Sequence, residues 1–475
     1  EPSTSSEGAL SAEQVRALKM AQDDSSKFLV VTGGPGTGKT YVMREIVKAW
    51  EKMGMRIALA SPTARAAQRL LEAVGDPKYD EHAKTIHRLL EYTSRINSFK
   101  RHGNNPLEYD AIVVDEASML DIYLAQSLMD AIPKHARVLF VGDADQLPSV
   151  GAGNVLRDII GSSTVPVVEL QTIFRQDQAS AIVKDAHLVN AGSVPRNMKH
   201  LVRLGDTFSI AVSEQHAPYE DGDVLFLNVE DPAEAVDLLD SSVLPYLTSL
   251  GFDIASDVQV LAPMKAGHCG TVNICNRTQA TINPNFVKFG PNADTPGSLV
   301  VGDRVMQDAN DYNIEVYNGE IGRIVERYKC KGKGKRRDYE AYGYVVDIGG
   351  REVRYEGTSI RRLQLAYACT VHKSQGSEFP AVILPLVSEH AFNLSKNLLY
   401  TGLTRASRLA VIVGSWRMLH AAVKKVDVKL RQTGLRHQIL ELSVNRGGEC
   451  SRRQHQENTP LWDTLGLEEL FEEEH

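Results

Sequence analysis

The chain has little of what marks a secreted, membrane-bound or strongly basic protein. Its 475 residues include five cysteines, Cys269, Cys275, Cys330, Cys369 and Cys450, with no C-x-x-C pair and no zinc-ligand spacing. That pattern argues against a disulfide framework or a structural zinc centre and fits thiols kept reduced in a cytoplasmic setting. No run approaches the roughly 18 apolar residues of a membrane-spanning helix, so no membrane association is expected. No secretory signal is visible; the sequence opens on Glu1 rather than Met, and further chain upstream of it is expected. A cationic excess is missing too. Lys and Arg number 53 against 60 Asp and Glu, a formal charge of −7, which argues against a small module that holds nucleic acid by charge alone. Aromatic residues make up only 7%, so broad stacking platforms for bases are scarce. No repeat occurs at solenoid periods. What remains is a chain long enough for three or four domains, with 43% hydrophobic residues to fill their cores.

Within that frame the most informative segment is Gly33-Gly34-Pro35-Gly36-Thr37-Gly38-Lys39-Thr40. It follows an apolar β-branched run, Phe28–Val31, and precedes Val42, Ile46, Val47 and Trp50 at helical spacing. A strand, a glycine loop and a helix start make an anion cradle. Backbone N–H groups turn inward, the helix dipole adds positive potential, and Lys39 reaches the outer phosphates. Thr40 is expected to place its hydroxyl on Mg²⁺. Ala111–Val114 then reads as a buried strand ending in Asp115 and Glu116. An acid there holds the metal that bridges the phosphates, and the second acid polarises the attacking water.

Strand patterns alternate with helical ones at Arg56–Ala60, Ala111–Asp115, Arg137–Gly142 and Pro166–Leu170, and again at Asp257–Ala262, Leu365–Thr370, Ala381–Leu386 and Leu409–Gly414. This predicts an α/β fold with two parallel-sheet units, of which only the first carries a P-loop. The expected organisation is a disordered start over 1–10, a first unit over 11–171 and a second over 172–443. Ser11 with Gln14 reads as the capping box of the first helix. Tyr92–Tyr109 breaks the first unit, with turn-forming His102–Pro106 at its centre; it is either a protruding hairpin or a surface loop. Val301–Arg362, rich in Val, Ile, Tyr and Gly, predicts an inserted small antiparallel barrel. Its basic run, Lys329–Arg337, is either a solvated hairpin tip or a contact to phosphates. A polar, then acidic tail fills 444–475.

Four further segments specify the family. They are Gly142-Asp-Ala-Asp-Gln-Leu-Pro-Ser-Val150, Phe174-Arg175-Gln176, Ala368-Cys-Thr-Val-His-Lys-Ser-Gln-Gly-Ser-Glu-Phe379 and Leu399-Tyr-Thr-Gly-Leu-Thr-Arg-Ala406. In this order, with Thr85-Ile-His87, they resemble the motif set of superfamily 1 helicases, in particular the RecD-type branch of group B, from about Leu10 to Val444. The resemblance implies two RecA-like domains, a pin at the inserted hairpin and an insertion like a Src-homology-3 barrel. It implies ATP and Mg²⁺ as cofactors. Gln14 would then read adenine, while Gly34, Pro35, Gly36, Thr37, Gly38, Lys39 and Thr40 hold phosphates and metal. Asp115 would bind Mg²⁺, Glu116 act as general base and Gln146 sense the γ-phosphate. Arg175 and Arg405 would be arginine fingers, and Glu378 would contact the ribose.

The same resemblance implies an ATP-dependent helicase that moves 5′→3′ on single-stranded DNA, opens duplex junctions in recombination or repair, and works in the cytoplasm at the nucleoid. Thr63, Arg65, Thr85 and His87 in the first unit, with Thr370 and His372 in the second, would hold the strand. Hydroxyls, backbone N–H groups and imidazoles grip phosphates without reading sequence. Two alternatives stand beside this reading: an RNA-directed relative, and a nucleotide-gated binding protein for single strands. Protein partners are not indicated.

Overall fold

The computed structural model describes residues 10–23, 27–75, 79, 83–93, 96–173, 180–196, 198–203, 210–213, 220–289, 299–311, 314, 316–332, 339–425, 434–437 and 439–440. They fall into two compact units, 1–178 together with 429–475, and 179–428. No helix among the described residues is long and apolar enough to cross a membrane.

In the first unit, β1 (Phe28–Gly33), β2 (Ile57–Ser61), β3 (Ala83–Thr85), β6 (Ala111–Val114), β7 (Arg137–Gly142) and β8 (Val167–Leu170) form one sheet in the order β3-β2-β6-β7-β1-β8, with every neighbouring pair parallel. These strands are nearly continuous apolar runs because both faces of the sheet are covered. Phe28, Val30, Ile112, Val114, Val138 and Phe140 share one core with helices Ile122–Ala131 and Val155–Ser162. Leu29, Val31, Val113, Leu139 and Val141 share the other with Val42, Met43, Ile46, Val47 and Trp50 of helix Lys39–Lys52. The Trp50 indole N–H donates to the Ala21 carbonyl at 2.8 Å and so ties down helix Ala12–Gln22. The sequence pattern had not indicated β3.

The hairpin is smaller than its segment. β4 (Tyr92–Thr93) pairs antiparallel with β5 (Ser98–Phe99), so the hairpin closes between these strands rather than at His102–Pro106. His102–Asn105 forms a separate tight turn fastened to the body. The Gly103 N–H donates to Asp130 at 3.0 Å, the Leu107 N–H donates to the Ala131 carbonyl at 2.8 Å, and Leu107 is buried. Polar turn residues alone do not distinguish a tip from a docked turn; the apolar Leu107 next to them does.

The second boundary also moves. Leu435 and Ile439, four apart on a short helical segment, are buried in the core of the first unit with Ile112 and Val138. The second unit therefore ends at Val428, not near 443. It holds β9 (Lys199–Arg203), β10 (Ile210–Val212), β11 (Asp223–Asn228), β12 (Val258–Ala262), β18 (Ala368–Thr370), β19 (Phe379–Leu386) and β20 (Ala406–Gly414) in the order β10-β9-β11-β20-β19-β12-β18. All neighbours are parallel except β10 with β9.

Between β12 and β18 lies the insertion, with β13 (Arg304–Gln307), β14 (Ile321–Gly332), β15 (Tyr339–Ile348), β16 (Arg351–Tyr355) and β17 (Leu363–Leu365) in one antiparallel sheet, ordered β16-β15-β14-β13-β17. Where a barrel was expected, the edge strands β16 and β17 do not pair with each other among the described residues. Its core is Leu299, Val305, Val316, Ile324, Tyr344, Val346, Val353, Tyr355 and Leu363. The root of the insertion is polar. Asp303 is fully buried and accepts from Gln279 at 2.6 Å, Asn283 at 2.6 Å, Tyr367 at 3.1 Å and the Val300 N–H at 2.8 Å.

Candidate functional site

Sheet order builds the centre of the first unit. The P-loop follows β1, Asp115 and Glu116 follow β6, and the segment leading to Gln146 follows β7, which lies between β1 and β6. Three adjacent strands thus deliver all three segments to one rim, the carboxyl end where parallel α/β sheets bind ligands. Gly142 permits their close approach. A Cβ there would stand 3.2 Å from both the Ala117 and Ser118 backbone nitrogens and 2.9 Å from the Leu156 side chain.

The P-loop is already curled as a cradle. Gly36 and Gly38 have φ of 74° and 80°, the left-handed region that glycine enters without a Cβ penalty. The Thr37 hydroxyl donates to the Gly34 carbonyl at 2.9 Å, and the Lys39 ammonium donates to the carbonyls of Gly33 at 2.8 Å and Gly34 at 2.9 Å. Helix Lys39–Lys52 has no side-chain cap and no acid in its first turn, so its positive end faces an anion site without a competing carboxylate. Pro35 is half-buried and Thr40 is exposed. Gln14 is buried beside this loop. Its Nε2 reaches the Thr37 carbonyl at 3.5 Å while its Oε1 accepts the Ser11 N–H at 3.1 Å, completing the capping box.

On the facing strand, Asp115 accepts the Glu116 N–H at 2.9 Å. Burial raises the Asp115 pKa, and the neighbouring Glu116 charge raises it further, against the opposing pull of Lys39. Glu116 has φ of 52°, a left-handed conformation unusual for a residue with a side chain and typical of functional rims. Gln146 is buried, and its amide is clamped: Nε2 donates to Asp143 at 3.2 Å, while Oε1 has no hydrogen-bond partner among the described residues. Among the described residues, the buried hydroxyls of Ser61, at the end of β2, and of Ser118 also lack partners. Unpaired buried polar atoms are costly, and on this rim they suit a polar ligand. The donor set fits nucleotide and metal: hard oxygens from Thr40 and Asp115 for Mg²⁺, backbone N–H groups and Lys39 for phosphates. Sequence reasoning missed Asp143; the signal was available in its place three residues before Gln146.

The threonines expected to touch DNA share a local role. Thr63, Thr85 and Thr370 each cap a helical start, accepting from the N–H of Ala66 at 3.3 Å, Arg88 at 3.2 Å and Lys373 at 3.4 Å. Each cap leaves a strand and opens a turn on the carboxyl rim of its own sheet. Arg65 is half-buried in the first turn after Thr63. His87 packs against Tyr92 and Phe99, at 5.7 and 5.6 Å between ring centroids, and burial lowers its pKa.

In the second unit His372 is exposed and Glu378 half-buried. The neighbouring Lys373 is paired with Asp308 of the insertion at 2.5 Å. Arg405 is buried, with Nη1 donating to the Ser377 carbonyl at 3.1 Å and Nη2 to the Thr404 hydroxyl at 3.4 Å, while Nε has no partner among the described residues. Arg175 lies outside the described residues.

Comparison with known proteins agrees with this arrangement. A family model described as an AAA domain matches residues 9–209, and one described as a UvrD-like helicase C-terminal domain matches 365–413. The ATP-dependent RecD2 DNA helicase of Deinococcus radiodurans is 34% identical over 433 residues, which is 90% of this chain and 52% of that protein. The RecBCD enzyme subunit RecD of Mycolicibacterium smegmatis is 30% identical over 475 residues, 92% of this chain and 76% of that one. The chain thus spans about half the length of the first relative and about three quarters of the second. A solved structure of two coordinating Pif1 helicases at forked double-stranded DNA is 19% identical, with a TM-score of 0.46, covering 85% of this chain and 92% of that one.

Proposed function

The chain belongs to the RecD family, and from that premise we propose that it is an ATP-dependent DNA helicase that moves 5′→3′ on a single strand and opens duplex junctions. The observation that carries the reading is the rim of the first sheet. Three neighbouring strands deliver the phosphate cradle, the Asp115–Glu116 pair and Gln146 to one place. Lys39 and the loop N–H groups hold the phosphates of ATP, and Thr40 and Asp115 hold Mg²⁺, which when bound draws charge off the phosphate oxygens. Glu116 takes a proton from the attacking water. The clamped Gln146 amide offers its unpaired carbonyl oxygen to that water and so orients it. Gln14 reads adenine, and Glu378 the ribose. Arg175 and Arg405 act as fingers on the transferring phosphate, for which Arg405 must release Ser377. Thr63, Arg65, Thr85, His87, Thr370 and His372 follow the strand through phosphates; the three capped turns offer N–H groups as well as hydroxyls. The hairpin at 92–99 is the pin that parts the duplex. The protein acts in the cytoplasm, at the nucleoid.

Steady-state ATPase with and without oligo-dT tests the reading, beside strand displacement on 5′-tailed and 3′-tailed duplexes. Single strands should stimulate turnover, Glu116→Gln should abolish it while ATP still binds, and only the 5′-tailed duplex should open. Turnover indifferent to single strands would refute the motor and favour a nucleotide-gated binding protein. Stimulation by RNA alone would move the substrate to the RNA-directed alternative.

A further inference from the structure

One buried hydroxyl of the first unit serves neither the ATP site nor the strand grip. Ser61 closes β2, is 0% exposed, and its Oγ has no hydrogen-bond partner among the described residues. Its register places it between the two. On one side Ser61 pairs with Thr85 of β3. On the other, Ala60 pairs with Val114, and the Asp115 N–H donates to the Ala60 carbonyl at 2.9 Å. That bond carries the parallel ladder one rung further and sets Ser61 beside Asp115. Alternation puts both on one face of the sheet. Ile57 and Leu59 of β2 share a core with Val113 of β6 and with helix Lys39–Lys52, whereas Ala58 and Ala60 share the opposite core with Val114. Thr85, Ser61 and Asp115 thus form one row across three adjacent strands, with about 4.8 Å between neighbouring strands. Two residues beyond Ser61 stands Thr63, the cap of helix Ala64–Val74. Ser61 therefore adjoins both strand-gripping turns of the first unit and the metal acid.

We propose that Ser61 is a positioning residue: when a single strand settles on the turns at Thr63 and Thr85, the Ser61 hydroxyl donates to the Asp115 carboxylate and steadies that acid for Mg²⁺. The inference rests on reading the chain as a DNA helicase; it names the contact through which strand occupancy is felt at the metal site. The unpaired hydroxyl is the first reason. A buried donor without an acceptor destabilises the fold, and alanine, the residue at 58 and 60 of the same strand, would avoid that loss. The hydroxyl is accounted for if it finds its acceptor in the loaded protein. The choice of acceptor is the second. In this row Thr85 is a neutral hydroxyl that already accepts the Arg88 N–H at 3.2 Å. Asp115 gives Oδ1 to the Glu116 N–H at 2.9 Å, and a carboxylate accepts on both oxygens. A bond to a carboxylate is also about twice as strong as one between neutral groups. Leverage is the third. The end of β2 leads straight into the Thr63 turn and is paired with the Thr85 turn, so a strand that draws on either turn moves Ser61 against Asp115.

The test compares Ser61→Ala with Ser61→Thr, which keeps a hydroxyl, in the full chain. Binding of a fluorescent non-hydrolysable ATP analogue is titrated with Mg²⁺, with and without saturating oligo-dT. In the parent, oligo-dT should lower the Mg²⁺ concentration required. In Ser61→Ala that gain should shrink by roughly tenfold, the order expected for one hydrogen bond to a charged group, while the Mg²⁺ requirement without DNA stays parental. Linkage demands the same loss in the reverse direction, read as the tightening of oligo-dT binding by Mg²⁺ and the analogue in fluorescence anisotropy. Ser61→Thr should retain the gain. Chemical unfolding should place Ser61→Ala at the parental midpoint or above, because an unpaired hydroxyl has been removed; a merely structural role predicts a lower midpoint. An Ala variant that keeps the parental gain would overturn the proposal. So would an equal loss with and without DNA, a lowered midpoint, or a folded Thr variant that behaves like Ala. A parent that binds oligo-dT with no change in its Mg²⁺ requirement would overturn it as well and leave the helicase reading standing. A parent that does not bind oligo-dT would fail the helicase reading, and the proposal with it.

Discussion

Asp185 should make the second unit measurably less stable as pH rises, and Asp185→Asn should remove that dependence. The residue lies on helix Ala181–Asn190, is 2% exposed, and its Oδ2 has no hydrogen-bond partner among the described residues. Burial pushes its carboxyl up to about 7 from an ordinary 3.8. An acid whose folded pKa is raised binds its proton more tightly in the fold than in the unfolded chain. Its stabilising contribution is therefore complete below the unfolded pKa and is lost as pH rises through the folded one. Ionising a carboxyl held at about 7 in the fold instead of 3.8 costs ~4 kcal/mol. The amide of Asn keeps the shape and never ionises. At about pH 4 the two proteins should differ little, and at about pH 8 the Asn variant should be the more stable by ~2–4 kcal/mol. Because the chain has two units, whole-chain melting would mix their transitions. Urea unfolding read by hydrogen exchange in peptides from the second unit isolates the relevant one. Parallel stability curves for parent and variant across this range would refute the reasoning, since the carboxyl would then titrate as it does in water.

Three further outcomes are expected. Replacing Thr93–Ser98 by Gly-Gly, which removes the tip with its exposed Ile96 but keeps Leu107 and the Gly103–Asp130 bond, should leave single-strand-stimulated ATPase nearly unchanged while unwinding collapses in a strand-displacement assay; persistent unwinding would remove the hairpin from the mechanism. If Arg405 is the finger proposed above, Arg405→Lys should lower kcat by about 10³-fold with little change in nucleotide affinity, in a turnover measurement paired with a nucleotide titration. Asp303→Ala should strand the buried donors of Gln279, Asn283 and Tyr367, cost about 3 kcal/mol or more in chemical unfolding, and speed proteolysis at the root of the insertion.

The parts of this protein visible in the sequence are those where local chemistry and chain position coincide. The P-loop strand, Ala111–Val114 and Arg137–Gly142 read as buried strands because both sheet faces are covered, and each ends in a short polar signature. β3 is only three residues long and begins with Ala83, too short for any period to register. β10 is the edge strand of its sheet and β9 its neighbour, where exposed positions such as Val202 blur alternation. The clamp of Asp143 on Gln146 was within reach of spacing, whereas the bond from Arg405 to Ser377 joins positions 28 residues apart and could not be read from either. The turn at His102–Asn105 misled because its residue types report backbone conformation and say nothing of what docks beneath it.

The return of Leu435 and Ile439 to the first unit bears on how the protein is made. During synthesis the first sheet leaves the ribosome early, yet the core that holds Ile112 and Val138 lacks Leu435 and Ile439 until all of 179–428 has followed. The nascent first unit thus carries an open hydrophobic notch that its own chain closes last. A fragment cut at the boundary after Gln178 would keep every ATP-site motif described on the first sheet and still lack part of its core. Supplying 429–440 in trans, or fusing it behind Gln178, is the repair this topology calls for.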